Sequence, residues 1–352
     1  MKNNMFFINK LYFWTIFILC MSYSSLIYGA SDEDTEAKYS EAAFSVKQSE
    51  NIKYVIPKKS GEDKVSFKGY VDVQQGFDNN VNLNSKRQRD GYFQSIANAE
   101  IKCEPTNIVD IKAGLDVFSI NYYNLNTNNI LDLMPYLEAD FDFIPKKLKF
   151  KNKIGFDYFS YTNKKESSHS SFVYTTSLRH FILERVYHEP AFEYYYRYYP
   201  DKKINLNSGA SGEHDREDSR WKVKYTLGLF GKRFLFKLKN ELYKNDSNNE
   251  YQEYYDYWVY RVKPSLVYFF TNKFYTNTGY SYRYTCYEDR RSTDDNDKTV
   301  TDGTHRLTTT LYYDLTKNTT CSISYSYAEN LSNDPYQRYS GGTVSGGISY
   351  SF

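Results

Sequence analysis

The chain has 352 residues, 45 Lys+Arg against 43 Asp+Glu and a formal net charge of +2, a balance that excludes a nucleic-acid binder relying on a strongly basic face. Hydrophobic residues make up 40% of it, and no succession of apolar runs of about 20 residues occurs, which excludes a helical membrane protein with several spans. The outlying value is aromatic content, 19% with 39 Tyr. Tyr favours strands and sits well at membrane–water boundaries, having an apolar body and a polar tip.

At the N-terminus, Lys2 and Lys10 precede an apolar run over residues 11–21 and a small or polar stretch up to Ala30. A positive start, a short apolar region and a small-residue exit describe a secretory signal over residues 1–30, cleaved near Gly29 or Ala30. Cys20 follows Leu19, which is too large for the position before a lipidated cysteine. Residues 31–64 are polar and mixed in charge, with Pro57 and Gly61 near their end; they read as a periplasmic linker, too short for a barrel plug. Cys103, Cys286 and Cys321 are an odd, widely spaced trio without CxxC or Cys/His metal spacing, so apolar filling is expected of them and no metal or other cofactor is implied.

From residue 65 to 352 the sequence alternates with a period of two, which places successive side chains on opposite faces of strands. Over residues 131–143, Leu131, Leu133, Leu137, Ala139, Phe141 and Phe143 share one face, and Asp132, Glu138, Asp140 and Asp142 the other. The next segment sets Leu148, Phe150, Ile154 and Phe156 against Lys149, Lys151, Lys153 and Asp157, after a tight turn containing Pro145. Further along, Trp221, Val223, Tyr225, Leu227 and Leu229 oppose Lys222 and Lys224. Phe236, Leu238 and Leu242 oppose Lys237, Lys239 and Glu241, and Trp258, Tyr260, Val262, Leu266 and Tyr268 oppose Arg261 and Lys263.

Fourteen such segments begin near residues 65, 91, 108, 129, 148, 172, 187, 219, 234, 256, 274, 304, 320 and 341. Short spacers alternate with long polar ones, the long ones near 78–90, 122–129, 163–171, 200–218, 245–255, 288–303 and 328–340. A soluble sandwich gives no reason for such alternation, whereas a membrane barrel has short turns on one side and long loops on the other. The expected fold is therefore all-β, a transmembrane antiparallel up-and-down β-barrel of about 14 strands. Its apolar faces would form a lipid-facing band about 25 Å tall with Tyr and Trp at the rims.

The chain ends Val344-Ser-Gly-Gly-Ile348-Ser-Tyr350-Ser-Phe352. This resembles the last strand of bacterial outer-membrane proteins, which finish on an aromatic residue with apolar residues at alternate places before it. The resemblance implies an outer-membrane location, and Ile348, Tyr350 and Phe352 as the signal read by the barrel-assembly machinery, where a terminal strand is captured by strand addition. A second stretch, Gly76-Phe-Asp-Asn-Asn-Val-Asn-Leu83, resembles the Gly-Tyr-Asp-x-Asn-Val segment of the "beta-barrel porin 2" group of Gram-negative bacteria, with Phe77 where Tyr is usual. Some members of that group resemble barrels linked to surface polysaccharide.

If the polar faces enclose water, Asp110, Asp116, Asp132, Glu138, Asp140 and Asp142 form an acidic wall faced by Lys149, Lys151 and Lys153. Lys222, Lys224, Lys237, Lys239, Arg261 and Lys263 then form a basic wall. Such a lumen would pass small hydrophilic solutes, favouring anionic or zwitterionic ones near the basic wall. The competing arrangement is a narrower barrel filled by acid–base ladders, structural or associated with polysaccharide export. A hydrolase is the rival of another class, but His169, His180, His188, His214 and His305 show no metal spacing or Ser/Asp constellation, and no catalytic residue is assigned. His169, in Glu166-Ser-Ser-His-Ser-Ser171, is expected on a solvated external loop. The glycines at 341–342 and 346–347 are expected to be strand-packing positions rather than a phosphate loop.

Overall fold

The computed structural model describes residues 65–352 apart from Ser85, Lys146, residues 252–254 and Asn296; the proposed signal and linker lie outside the described residues. Alternation of apolar and polar residues produces fourteen strands in chain order: β1 Val65–Asp78, β2 Asp90–Thr106, β3 Val109–Tyr122, β4 Ile130–Ile144, β5 Leu148–Tyr161, β6 His169–Leu183 and β7 Val186–Asn205, followed by β8 Ser211–Phe230, β9 Phe234–Ser247, β10 Tyr257–Phe269, β11 Phe274–Arg291, β12 Thr299–Asp314, β13 Thr319–Ser332 and β14 Tyr339–Ser351. Every strand pairs with its sequence neighbours, and β14 returns to β1 to close the barrel. Closure satisfies the backbone groups that an open edge would leave bare in hydrocarbon.

The seam is antiparallel, with Tyr70 opposite Ser351 and Asp78 opposite Thr343. It ends where Phe352 and Gly69 exchange two backbone hydrogen bonds, of 2.9 and 3.1 Å. Phe352 also lies against Phe67, ring centroids 5.7 Å apart, so the C-terminal residues predicted from the sequence complete the sheet. The alternate apolar residues face outward, among them Leu137 (61% exposed), Phe156 (61%) and Val223 (59%). Polar and charged residues such as Asp72, Asp140, Glu193 and Arg261 are buried within. A soluble protein would reverse this arrangement; apolar outside and polar inside is what a barrel in lipid requires.

The spacers differ from expectation. The connection expected over residues 200–218 is mostly strand: β7 and β8 each run 20 residues and leave only residues 206–210 between them. The long spacers expected near 288–303 and 328–340 shrink likewise, to 292–298 and 333–338. Charged residues there hide the period of two, yet they stay in register, Lys203 opposite Asp215 across bulges.

Tyr is not confined to the rims. Tyr70, Tyr92, Tyr122, Tyr136, Tyr187, Tyr243 and Tyr275 are all buried inside the barrel. Several fold over a glycine on the neighbouring strand: a Cβ on Gly76 would stand 2.5 Å from the ring of Tyr92, and one on Gly114 2.5 Å from that of Tyr136. A ring lying flat over a glycine fills the space the missing side chain leaves. Gly341 and Gly347 are packing positions as expected, the first against Asn80 and the second against Gln74 and the Val73 carbonyl. Cys103, Cys286 and Cys321 are half-buried.

Candidate functional site

Fourteen strands lie between the eight whose lumen side chains can fill and the sixteen to eighteen that leave a wide channel, so side-chain size and charge determine what this lumen can hold. On β3–β5 the separate acidic wall expected from the sequence is not formed. Lys112, on the same face as Asp110 and Asp116, is inserted among the carboxylates. It bonds Glu138 and lies 3.0 Å from Asp140. Lys149 reaches Asp140 at 3.0 Å, Asp110 at 3.5 Å and Asp142 at 3.9 Å. Lys151 stands 3.8 Å from Asp140 and 4.0 Å from Glu138, while Lys153 turns onto the Tyr136 ring, 3.7 Å from its centroid. Acid and base therefore interleave as a ladder. Asp132 is not part of it; its register neighbours are Phe118 and Phe159.

The basic side on β8–β10 does come together. Two carboxylates, Glu193 and the Glu241 expected on a polar face, are set within it by register. Glu193 on β7 lies opposite Lys222, bonds it at 2.8 Å and also bonds Lys224. Glu241 lies between Lys224 and Arg261 across the two flanking strands; it takes Lys239 at 2.6 Å and Arg261 at 3.4 Å. Lys239 stands directly opposite Lys263, like charges that Glu241, bound to Lys239, helps to offset. Among the described residues, no acidic side chain lies within ion-pair distance of Lys237.

Lys224, Lys237, Lys239 and Lys263 border a lumen cavity of about 280 Å³. Its lining includes Arg179, Lys224, Lys237, Lys239, Lys263 and Arg306 against the single carboxylate Glu189, which Arg179 binds. Arg179, Arg306 and Glu189 were not singled out from the sequence, because each is one polar residue in an ordinary alternating strand. Thr175, Ser177, Thr226, Thr308 and Asn277 supply hydroxyl and amide groups to the same cavity. Leu235, Val267, Tyr275 and Tyr312 pack together at the short-turn ends of β9–β12, beyond the lysines. Next round the wall, hydroxyls on the inner faces of β12 and β13 bond one another, Thr308 with Ser326 at 3.0 Å and Thr310 with Ser324 at 2.9 Å.

The long-loop mouth is narrowed by residues 79–84 and 86–89, which contain the end of the Gly76–Leu83 motif. Val81 is 1% exposed and packs into an apolar cluster inside the barrel with Ile96, Ile120, Tyr122 and Ile130. Asp78 accepts the backbone N–H of Asn80 at 2.9 Å and the Tyr122 hydroxyl at 3.0 Å. The Asn80 side chain donates to the carbonyls of Asn84 (2.8 Å) and Ser340 (3.0 Å). Leu83 and Arg87 adopt positive φ, 46° and 47°, which lets the chain turn into the lumen. Nearby, Lys164 in the loop between β5 and β6 donates to Asn128 at 2.6 Å, and burial lowers its pKa.

His169 is corrected. It begins β6, is 5% exposed, and its ring is stacked on Phe159 (5.0 Å) and lies against Tyr199 (5.2 Å). Asp157 is 4.0 Å away, and the Ser171 hydroxyl is buried with no hydrogen-bond partner among the described residues. The nucleophile–base hydrogen bond of a hydrolytic triad is not made here.

No family model matches the chain, and no curated protein matches it. Among solved structures the barrel is similar to outer-membrane expressed OmpT of Vibrio cholerae, with TM-score 0.50 and 7% identity over 84% of this chain and 100% of that one. It is also matched with the outer membrane channel DcaP of Acinetobacter baumannii (TM-score 0.49, 10% identity, 84% and 99% covered). A third match is the P. putida toluene transporter TodX (0.42, 11%, 83% and 90%). At such identities the likeness to OmpT concerns fold alone, that of a bacterial outer-membrane β-barrel; the other two superpose too loosely to add to it.

Proposed function

We propose that the chain resides in the outer membrane of a Gram-negative bacterium as a non-enzymatic channel for passive passage of small hydrophilic solutes. The supporting observation is the lumen cavity, lined by six cations, of which Arg179, Lys224 and Lys239 are bound by Glu189, Glu193 and Glu241 while Lys237 has no acidic side chain within ion-pair distance among the described residues. A surplus of positive charge in a confined bore raises the local concentration of anions. On this reading the apolar outer face contacts outer-membrane lipid. Ile348, Tyr350 and Phe352 are presented to the barrel-assembly machinery before the seam closes, and residues 1–30 act as the export signal. Planar-bilayer recording tests the channel, with conductance compared before and after charge reversal of Lys222, Lys224, Lys237 and Lys239. The expected result is anion preference that shifts toward cations on reversal; absence of any conductance removes the proposal. Liposome swelling with sugars of graded size then sets the solute limit.

A second reading is favoured by the acid–base ladder on β3–β5 and by the inward fold of residues 79–84 and 86–89. Both narrow the bore, as in a structural or polysaccharide-export-associated barrel with little conductance. Swelling rates indistinguishable from protein-free liposomes would favour it.

A further inference from the structure

We propose that the cavity beside Lys237 is a binding subsite for a monosaccharide-sized, hydroxylated carboxylate, a sugar acid. The inference deepens the channel reading and rests on it in one respect, that solutes enter the lumen. Three features carry it. The first is charge: Lys237 lies against the cavity with no acidic partner within ion-pair distance among the described residues. The carboxylates present are committed elsewhere, Glu189 to Arg179, Glu193 to Lys222 and Lys224, and Glu241 to Lys239 and Arg261. A confined cation cluster of this kind is stabilised by an anion that enters it, through charge-assisted hydrogen bonds.

The second feature is size. A volume of about 280 Å³ corresponds to roughly nine water molecules at ~30 Å³ each, and lies at the small end of ligand pockets. It has room for one sugar ring. The third is the remaining lining: Ser177, Thr226 and Thr308 present hydroxyls, and Asn277 an amide, to the same space. Such groups exchange hydrogen bonds with ring hydroxyls, which a bare inorganic anion lacks. The Tyr187 ring adds an apolar surface at the edge.

The test is equilibrium dialysis of the full-length protein in detergent, with glucuronate, glucose and chloride as probes. Glucuronate is expected to bind about tenfold or more tightly than glucose, the scale of one charge-assisted contact. K237Q should lose about tenfold in glucuronate affinity and K237R should keep most of it. K298Q, on the exposed loop between β11 and β12, should bind as the parent does. Protease resistance of K237Q equal to that of the parent shows that its loss of binding is not a failure to fold. Equal affinity for glucuronate and glucose overturns the proposal, as does unchanged binding in K237Q. Full displacement by chloride at equal concentration also overturns it, since the site would then hold any counter-ion. Liposome swelling separates the two readings: glucuronate bound in dialysis but not admitted to liposomes removes the channel and leaves the subsite standing.

Discussion

Phe352 folds its ring over Gly69, 2.6 Å from where a Cβ on that glycine would stand, while the two residues exchange both of their backbone hydrogen bonds. The last residue of the chain is thus fitted to a gap in the first strand. Gly69→Val would force the ring off the seam, at about 1–3 kcal/mol of overpacking, and would expose the last strand pair at its end. The expected outcome is a several-fold lower yield of closed barrel on refolding into detergent micelles, read by protease resistance of the strand region. A yield equal to that of the parent would show that the seam does not depend on this contact.

Val81 holds residues 79–84 and 86–89 inside the mouth. Val81→Asp places a carboxylate among Ile120, Ile130 and Tyr122 and should release the loop, because an unpaired charge is not tolerated there. Lys86, Arg87 and Arg89 lie in the same loop, so trypsin cleavage at these sites should accelerate at least about tenfold, the factor that accompanies a 1.4 kcal/mol shift in loop opening. Single-channel conductance should rise in parallel if the loop narrows the bore.

Tyr122 supports that loop from the neighbouring wall, through its hydroxyl on Asp78. Tyr122→Phe removes one donor from a buried carboxylate and should cost about 1–3 kcal/mol. The effect belongs to the loop rather than the whole barrel, so it should appear in hydrogen exchange of residues 79–84 with little change in the urea midpoint.

Glu193 neutralises two lysines at once. Glu193→Gln leaves Lys222 and Lys224 without their shared carboxylate, and breaking such a buried group typically costs about 3–5 kcal/mol. A clear fall in the urea midpoint followed by tryptophan fluorescence is expected, partly restored by high salt, because counter-ions then screen the lysines. No change in midpoint would indicate that water already solvates this part of the lumen.

Strand number, closure and the lipid-facing residues were legible in the sequence because they depend on local alternation alone. Leu137 and Phe156 face outward whatever their cross-strand partners are. The lumen was less legible because it depends on register, which sums small offsets around the whole barrel. Lys112 reads as one more polar residue until β4 places Glu138 and Asp140 on either side of it, and Glu241 until β8 and β10 bring Lys224 and Arg261 beside it. The interior tyrosines were missed for a related reason. A Tyr at an inward position is indistinguishable by period from one at a rim until a glycine such as Gly76 or Gly114 is seen opposite it. His169 looked solvated because serines surround it in sequence, whereas in space its neighbours are Phe159 and Tyr199.

The 20-residue strands β7 and β8, at about 3.3 Å per residue and a tilt near 40°, rise roughly 50 Å along the barrel axis. A hydrophobic band of about 25 Å hides only half of that height, so the hairpin stands as a stiff parapet on one side of the entrance. On the outer-membrane reading, that ridge stands clear of the bilayer beside the opening.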